Sequence, residues 1–266
     1  GEGNSQNLSD FLTNHSAFYV KQYGALATPT FRGTSSSHTL VLWNGIPLNS
    51  IANGLLDVSI LPITNFNSIT IVHGGDGSVF GSGAMGGSIH FSSATDLKAK
   101  NEIRLTTEKG SFGLESKRIA FQYTLDDFAF SGSLFSLMDD NTFEFVNTTQ
   151  IGHPTVVNNY GNIKSEQQQI DMTYRYDKRT QFMLNYWASQ NDREVPQNMT
   201  TPFSDAKQYD NTKRVLFSSK HSFENKLLKF KQAYLQEDFS YTELLKNIDS
   251  RYLAESHITD ADLKIY

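Results

Sequence analysis

Strict alternation of ring and polar side chains over many short segments restricts this chain more than any other feature. In IDMTYRY (170–176), Ile170, Met172, Tyr174 and Tyr176 alternate with Asp171, Thr173 and Arg175. The same period runs through Ile119, Phe121, Tyr123 and Leu125, through Phe128, Phe130 and Leu134, and through Phe182, Leu184 and Tyr186. It returns at Val215 and Phe217, then at Phe230 and Tyr234. A period of two lines one face of a β-strand with rings; a helix would scatter them around its circumference. About eight such strands can be placed from residue 101 onward.

The connections separate two ways of using such strands. Asp126-Asp127, Asp177-Lys178-Arg179 and Glu224-Asn225-Lys226 read as tight polar turns. The segments 138–165, roughly 190–212 and roughly 240–251 read as long loops. In an up-and-down meander, successive connections emerge at opposite ends, so every tight turn falls on one rim and every long loop on the other. Outer-membrane barrels have that asymmetry, although a soluble antiparallel sandwich also alternates apolar and polar residues. Composition favours the barrel: aromatics reach 12% while hydrophobic residues total 38%, which suits a surface of rings better than a dense aliphatic core.

No stretch approaches the ~18 apolar residues of a membrane-spanning helix, whereas spanning β-strands need only about 9–11 residues each. The opening GEGNSQNLSD is polar, so the chain is expected to begin at a mature or internal point. A net charge of -5 argues against electrostatic nucleic-acid binding. Without cysteine there is no disulfide, thiol nucleophile or thiolate metal site. No nucleophile elbow is legible either, and the chain is not expected to be an enzyme.

Residues 1–95 use a different grammar, rich in glycine, serine and aliphatics. LSDFLTNH (8–15) has helical spacing with Ser9 or Asp10 as cap, HTLVLWNG (38–45) ends in an Asn-Gly turn, and SITIVHGG (68–75) is a β-branched run stopped by glycines. This reads as a small α+β domain. Gly81, Gly83 and Gly86 satisfy G-x-G-x-x-G, but a dinucleotide turn must open a helix and carry an acid about 20 residues later. Here the β-like SIHFSS follows, and Asp96 comes much too early. The glycines therefore serve tight turns and close backbone packing. An eight-stranded barrel fills itself with side chains and cannot enclose a domain, whereas one of ~22 strands has a plugged lumen. A plugged barrel would make these strands an incomplete wall.

FRGTSSSHTLVLWNGIPLN (31–49) and ILPITNFNSITIVHGGDGSVFGSGAMGGSIHF (60–91) resemble the two plug-domain signatures of TonB-dependent outer-membrane receptors. Within that family RGTSSSHTLVL is most similar to the cobalamin (vitamin B12) receptor group, and NDREVPQNM (191–199) resembles a barrel segment of Bacteroidetes members. The resemblance implies a plug over residues 1–95 in the lumen of a transmembrane all-β barrel. Residues 96–266 would supply its first antiparallel strands, about eight of ~22. It also implies TonB-dependent uptake across the bacterial outer membrane, with a TonB-contact segment and first plug strands ahead of this sequence. The implied partners are the TonB complex on the periplasmic side, the remainder of the barrel, outer-membrane lipid and a surface lipoprotein delivering ligand. Iron–siderophore, haem and glycan receptors share the signatures, and a soluble β-rich surface binding protein stands as the alternative of another class.

The chain departs from the family pattern at several positions. The family usually has acids at Asn67 and Thr70, arginine at His73, proline at Gly75 and Asp at Asn44, while Arg32 keeps its charge. Neutral polar groups thus replace charges that commonly tie plug to wall. The cobalamin resemblance places ligand contacts at Tyr23, Gly24, Ala25, Leu26 and Thr28, then at Asn49, Ser50, Ile51, Ala52 and Asn53. Backbone groups and small side chains suit a bulky corrinoid with an amide rim, whereas an anionic siderophore favours arginine or lysine. In the longest loop, Phe143, Phe145 and Tyr160 either contact an apolar ligand or pack the loop. Asp139, Asp140 and Glu144 are calcium candidates, since hard cations take carboxylate oxygens, but they lack D-x-D-x-D spacing and equally suit a solvated loop. His38, His73 and His90 form no HxH or HxxxH pair, and they read as polar filling of the plug surface.

Overall fold

The alternating segments become one antiparallel sheet. In a computed structural model of the protein, the described residues are 8–15, 18–23, 26–31, 38–50, 54, 56–59, 61, 66–73, 84–93, 95–196 and 203–266. The chain separates into two compact units, Gly1–Ala94 and Thr95–Tyr266.

The first unit begins with α1 (Leu8–His15), followed by the antiparallel pair β1 (Phe18–Tyr23) and β2 (Leu26–Phe31). A mixed sheet of β3 (Thr39–Trp43), β4 (Ile46–Pro47), β5 (Ser68–Val72) and β6 (Gly87–Ser92) follows, in the order β4-β3-β6-β5 with β3 parallel to β6. All five residues of β3 are buried, consistent with its unbroken apolar run. Neither expected side-chain cap opens α1. The helix starts at Leu8, and its first amides, Leu8 and Ser9, donate to the Leu61 and Val58 carbonyls at 2.8 and 3.2 Å. Backbone carbonyls thus take the first free amides, which sequence capping rules do not anticipate. Asn44 and Gly45 both adopt positive φ, 49° and 86°, making the expected tight turn from β3 to β4. Asn44 also joins this turn to the end of β6. Its Nδ2 and the Trp43 indole both donate to Ser93 Oγ, at 2.9 and 3.1 Å, and its Oδ1 accepts from the Ser93 amide at 3.0 Å.

The second unit starts with β7 (Glu102–Lys109), β8 (Glu115–Leu125) and β9 (Phe128–Asp139), then a separate small hairpin of β10 (Phe143–Val146) and β11 (Thr155–Asn158). Five long strands complete it: β12 (Ile163–Arg175), β13 (Thr180–Glu194), β14 (Lys207–Ser222), β15 (Lys226–Glu243) and β16 (Ile248–Ile265). Eight strands form one sheet in the order β16-β15-β14-β13-β12-β9-β8-β7. Burial separates its faces. Tyr123 and Tyr174 are 47% and 46% exposed, while Gln169, Asp171, Thr173 and Asn185 are at most 5% exposed. Rings on the open face and amides on the buried one invert the soluble pattern, as a lipid-facing wall requires. Several of the buried polar groups pair within the sheet: Asp171 accepts from Gln169 Nε2 (2.9 Å) and Asn185 Nδ2 (2.6 Å), and Ser165 donates to Asn191 (2.7 Å). Arg175, on the polar face, is exposed at the turn and ion-paired with Asp127 at 2.6 Å.

The rim assignment stands with one correction. Tight turns at 126–127, 176–179 and 223–225 share a rim, and the opposite rim carries the long 140–162 connection and that from 195 to 206. The expected loop at 240–251 does not form: β15 and β16 run through it, joined only by residues 244–247, with Leu244–Lys246 in a 3-10 turn and Asn247 left-handed. Ladder hydrogen bonds need no apolar side chains, so strands persist beyond the apolar band, where hydropathy alternation stops. Two tests arise here. Gly132 lies beneath a ring of the neighbouring strand, and a Cβ there would meet Phe121 Cζ at 2.6 Å and the Gln169 carbonyl oxygen at 2.9 Å. Gly132→Ala should destabilise by about 1–3 kcal/mol, read as a lower thermal midpoint in micelles; an unchanged midpoint would mean that β12 gives way freely. At the 176–179 turn, Asp177 Oδ1 accepts from the amides of Arg179 (2.7 Å) and Thr180 (2.6 Å). The Arg179 amide above all holds the Asp177 carboxyl below its usual range. A depressed folded value gives stability that is complete above the unfolded value and lost as pH falls through the folded one. Acid should therefore loosen this turn in wild type, and Asp177→Asn should flatten that dependence in amide exchange at Arg179.

Candidate functional site

The expected ligand contacts fall in two places, one in each unit. In the first, Tyr23 pairs with Leu26 where β1 meets β2, and Thr28 is buried on β2 opposite Lys21. Gly24, Ala25, Ile51, Ala52 and Asn53 lie outside the described residues, as do Gly81 and Gly83 of the glycine motif and Arg32 and Gly75 of the signatures. Gly86 leads into the strand β6 rather than a helix, with its amide on the His38 carbonyl at 2.9 Å, so the motif lacks the helix N-terminus that would hold a phosphate. Asn49 is committed to the fold. Its Oδ1 accepts from the Val41 amide at 2.9 Å, and its Nδ2 donates to the Thr39 and Gly54 carbonyls at 3.1 and 3.0 Å. The Ser50 carbonyl accepts from the Gly54 amide at 2.8 Å. Asn49 thus braces the segment that follows β4.

In the second unit the long connection between β9 and β12 carries the remaining candidates. Phe143 and Phe145 are half-buried on β10 with ring centroids 6.1 Å apart. Tyr160 follows β11, its hydroxyl buried without a hydrogen-bond partner among the described residues. Burial first, then the nearby Glu194 and Asp205 carboxylates, pushes its phenol up to about 12, which keeps it a neutral hydrogen-bond donor at working pH. Glu194, at the end of β13, fixes the same segment: its Oε2 accepts from the Gly161 amide (3.2 Å) and from Asn162 Nδ2 (3.0 Å).

The calcium candidates do not gather. Asp139 Oδ1 accepts from the Asn141 amide at 2.8 Å, Asp140 lies against Gly113, and Glu144 is exposed on β10. Among the described residues no three His, Asp or Glu side chains come together as a cation site. His90 meets Ser88 Oγ through Nε2 at 2.7 Å. Sequence reasoning missed Phe112, whose ring meets Phe143 edge-on at 5.9 Å from the turn between β7 and β8. The bracketing Gly110 and Gly113 mark that turn in the sequence, but nothing marks the direction of the ring.

The family model described as "TonB-dependent Receptor Plug Domain" matches residues 1–88. That match spans nearly all of the first unit, Gly1–Ala94. Among curated proteins, the vitamin B12 transporter BtuB of Vibrio vulnificus is 39% identical over 67 residues, 25% of this chain and 11% of the relative. That of Vibrio cholerae serotype O1 is 37% identical over 112 residues, 41% of this chain and 18% of the relative. The chain therefore spans less than a fifth of these relatives' length. The siderophore receptor PiuA from Acinetobacter baumannii superposes with a TM-score of 0.73 at 14% identity, covering 97% of this chain and 40% of that one. The FrpB iron transporter from Neisseria meningitidis gives 0.74 at 12% identity, covering 98% and 42%. These likenesses establish the fold: a plug domain with a partial transmembrane β-barrel. The protein belongs to the outer membrane, and the soluble alternative gives way.

Proposed function

We propose that this protein serves TonB-dependent uptake of cobalamin across the outer membrane. The observation that carries the ligand is the similarity to two vitamin B12 transporters at 37–39% identity. Asn49 supports it by fixing the chain at Thr39, Val41 and Gly54, beside the contact segment that the resemblance implies. Tyr23 to Thr28 and Asn49 to Asn53 contact the corrinoid in this reading, and Phe143, Phe145 and Tyr160 contact it from the long-loop rim. The TonB complex acts on the plug from the periplasmic side and remodels it to release ligand inward. A surface lipoprotein that delivers ligand docks on the 140–162 connection, following the Bacteroidetes resemblance of residues 191–199. Shortening that connection should then abolish its co-purification.

Equilibrium binding of cyanocobalamin to the micelle-solubilised receptor tests the ligand assignment. Saturable binding at or below micromolar concentration is expected. Its absence, with a ferric siderophore bound instead, would move the protein to another branch of the same family.

A further inference from the structure

Where the apolar band of the wall ends, the outward face of β8, β9 and β12 carries a groove of about 260 Å³. Its lower part is apolar: Ile119 on β8 and Leu134 on β9 pair across the ladder and are 46% and 52% exposed. Its upper part is ringed by charge. Register fixes the arrangement, because directly opposed residues of neighbouring strands share a face. Ser136 on β9 pairs with Lys117 on β8 and with Glu166 on β12. Two residues nearer the long-loop rim, Met138 pairs with Glu115 and with Lys164. Four charges thus stand at the corners of a rectangle around two uncharged residues, and the sign alternates at every corner. Lys117 meets Glu115 at 2.8 Å along β8, and Lys164 meets Glu166 at 3.1 Å along β12. Both ion pairs run along their own strands, so neither spans the groove. Both are partly exposed, and such pairs are weak enough for a new partner to share.

Lys117 and Glu166 flank Ser136 two strand spacings apart, roughly 9–10 Å between backbones. The short serine side chain leaves the space between them open. A simple anion or cation meets as much repulsion as attraction at such a rectangle, whereas a dipolar headgroup matches both signs at once. Lys117 suits a phosphate, and Glu166 suits an ammonium that donates hydrogen bonds to its carboxylate. Acyl chains on that headgroup run down over Leu134 and Ile119 into the apolar band, where the lipid lies.

We propose that this groove binds phosphatidylethanolamine, a zwitterionic phospholipid with a primary ammonium, by its headgroup. The phosphate lies on Lys117 and the ammonium on Glu166, above Ser136. A quaternary ammonium has no N–H to donate and matches the carboxylate less well. The site rests on the lipid-facing wall and is independent of the transported nutrient.

Native mass spectrometry tests it on the micelle-solubilised protein, titrated with dioleoyl phosphatidylethanolamine, phosphatidylcholine or phosphatidylglycerol. The tails are identical, so only the headgroup separates the three lipids. Phosphatidylethanolamine should bind at least about fivefold more tightly than either of the others. Lys117→Gln and Glu166→Gln should each bring the three within about twofold at an unchanged thermal midpoint, since exposed ion pairs add little stability. Lys213→Gln, the same change on the same face of β14, should keep the wild-type preference. Equal affinity for all three lipids, no bound lipid, or tighter binding of phosphatidylglycerol would each overturn the site. So would a preference that survives both groove variants, or one that Lys213→Gln also abolishes.

Discussion

Replacing Leu184 by arginine is expected to deplete the protein from the outer membrane. Leu184 lies on the ring-bearing face, paired with Met172 on β12 and Phe217 on β14, and it is 42% exposed. Exposure of such a residue is reasonable only if the medium is hydrocarbon. A guanidinium at mid-band costs about 2–4 kcal/mol on a lipid face and falls to about 0–1 near the interface. Gln190, on the same face of the same strand, lies six residues nearer the long-loop rim and pairs with Glu166 and Asn211. Gln190→Arg should therefore assemble normally while Leu184→Arg is lost to degradation, read as the heat-modifiable band in outer-membrane fractions. Equal yields would place the hydrocarbon elsewhere on the sheet.

The contrast between those neighbours also shows what the sequence made visible. Wherever rings alternate with polar residues, as at 119–125, 170–176 and 182–186, strand and outward face were both readable, because lipid imposes a side-chain rule. Above the band that rule lapses. Gln167 and Gln169 are buried on β12, yet nothing in EQQQ distinguishes a strand from a loop, and β15 and β16 pass through polar residues whose sequence reads as a connection. The plug was legible through its signatures and the Asn44-Gly45 turn. The role of Asn49 was not, since an amide bracing three backbone groups looks in sequence like any loop asparagine. Phe112 escaped for a related reason: ring–ring contact between two connections leaves no periodicity.

A second large effect is expected at Asp171. This carboxylate is buried on the polar face and accepts from Gln169 Nε2 and Asn185 Nδ2, while its own carbonyl accepts from Thr95 Oγ1 at 3.4 Å. Gln169 Oε1 has no hydrogen-bond partner among the described residues, so the bond from Nε2 is what orients that amide. Asp171→Ala would leave two buried amide donors without their acceptor. Each such loss costs about 1–3 kcal/mol, which puts the total on the order of 3 kcal/mol. Asp171→Asn keeps one acceptor oxygen and should fall between alanine and wild type. Thermal midpoints in micelles check the ranking. If alanine melted with wild type, the bracket would be idle and the pairing of β12 with β13 would rest on its ladder.

The ladders themselves are unusually regular. From β12 to β16, successive pairings run for 13, 15, 16 and 18 residues without a bulge. A bulge permits local repair of a mismatch; an unbroken ladder does not. A slip of one residue at any of these four seams would turn every ring toward the amide face and every amide toward lipid. Assembly along these strands is therefore digital: a strand docks in its one register or contributes nothing. Quality control in the membrane would then see two populations, finished wall and rejected chain, with little in between.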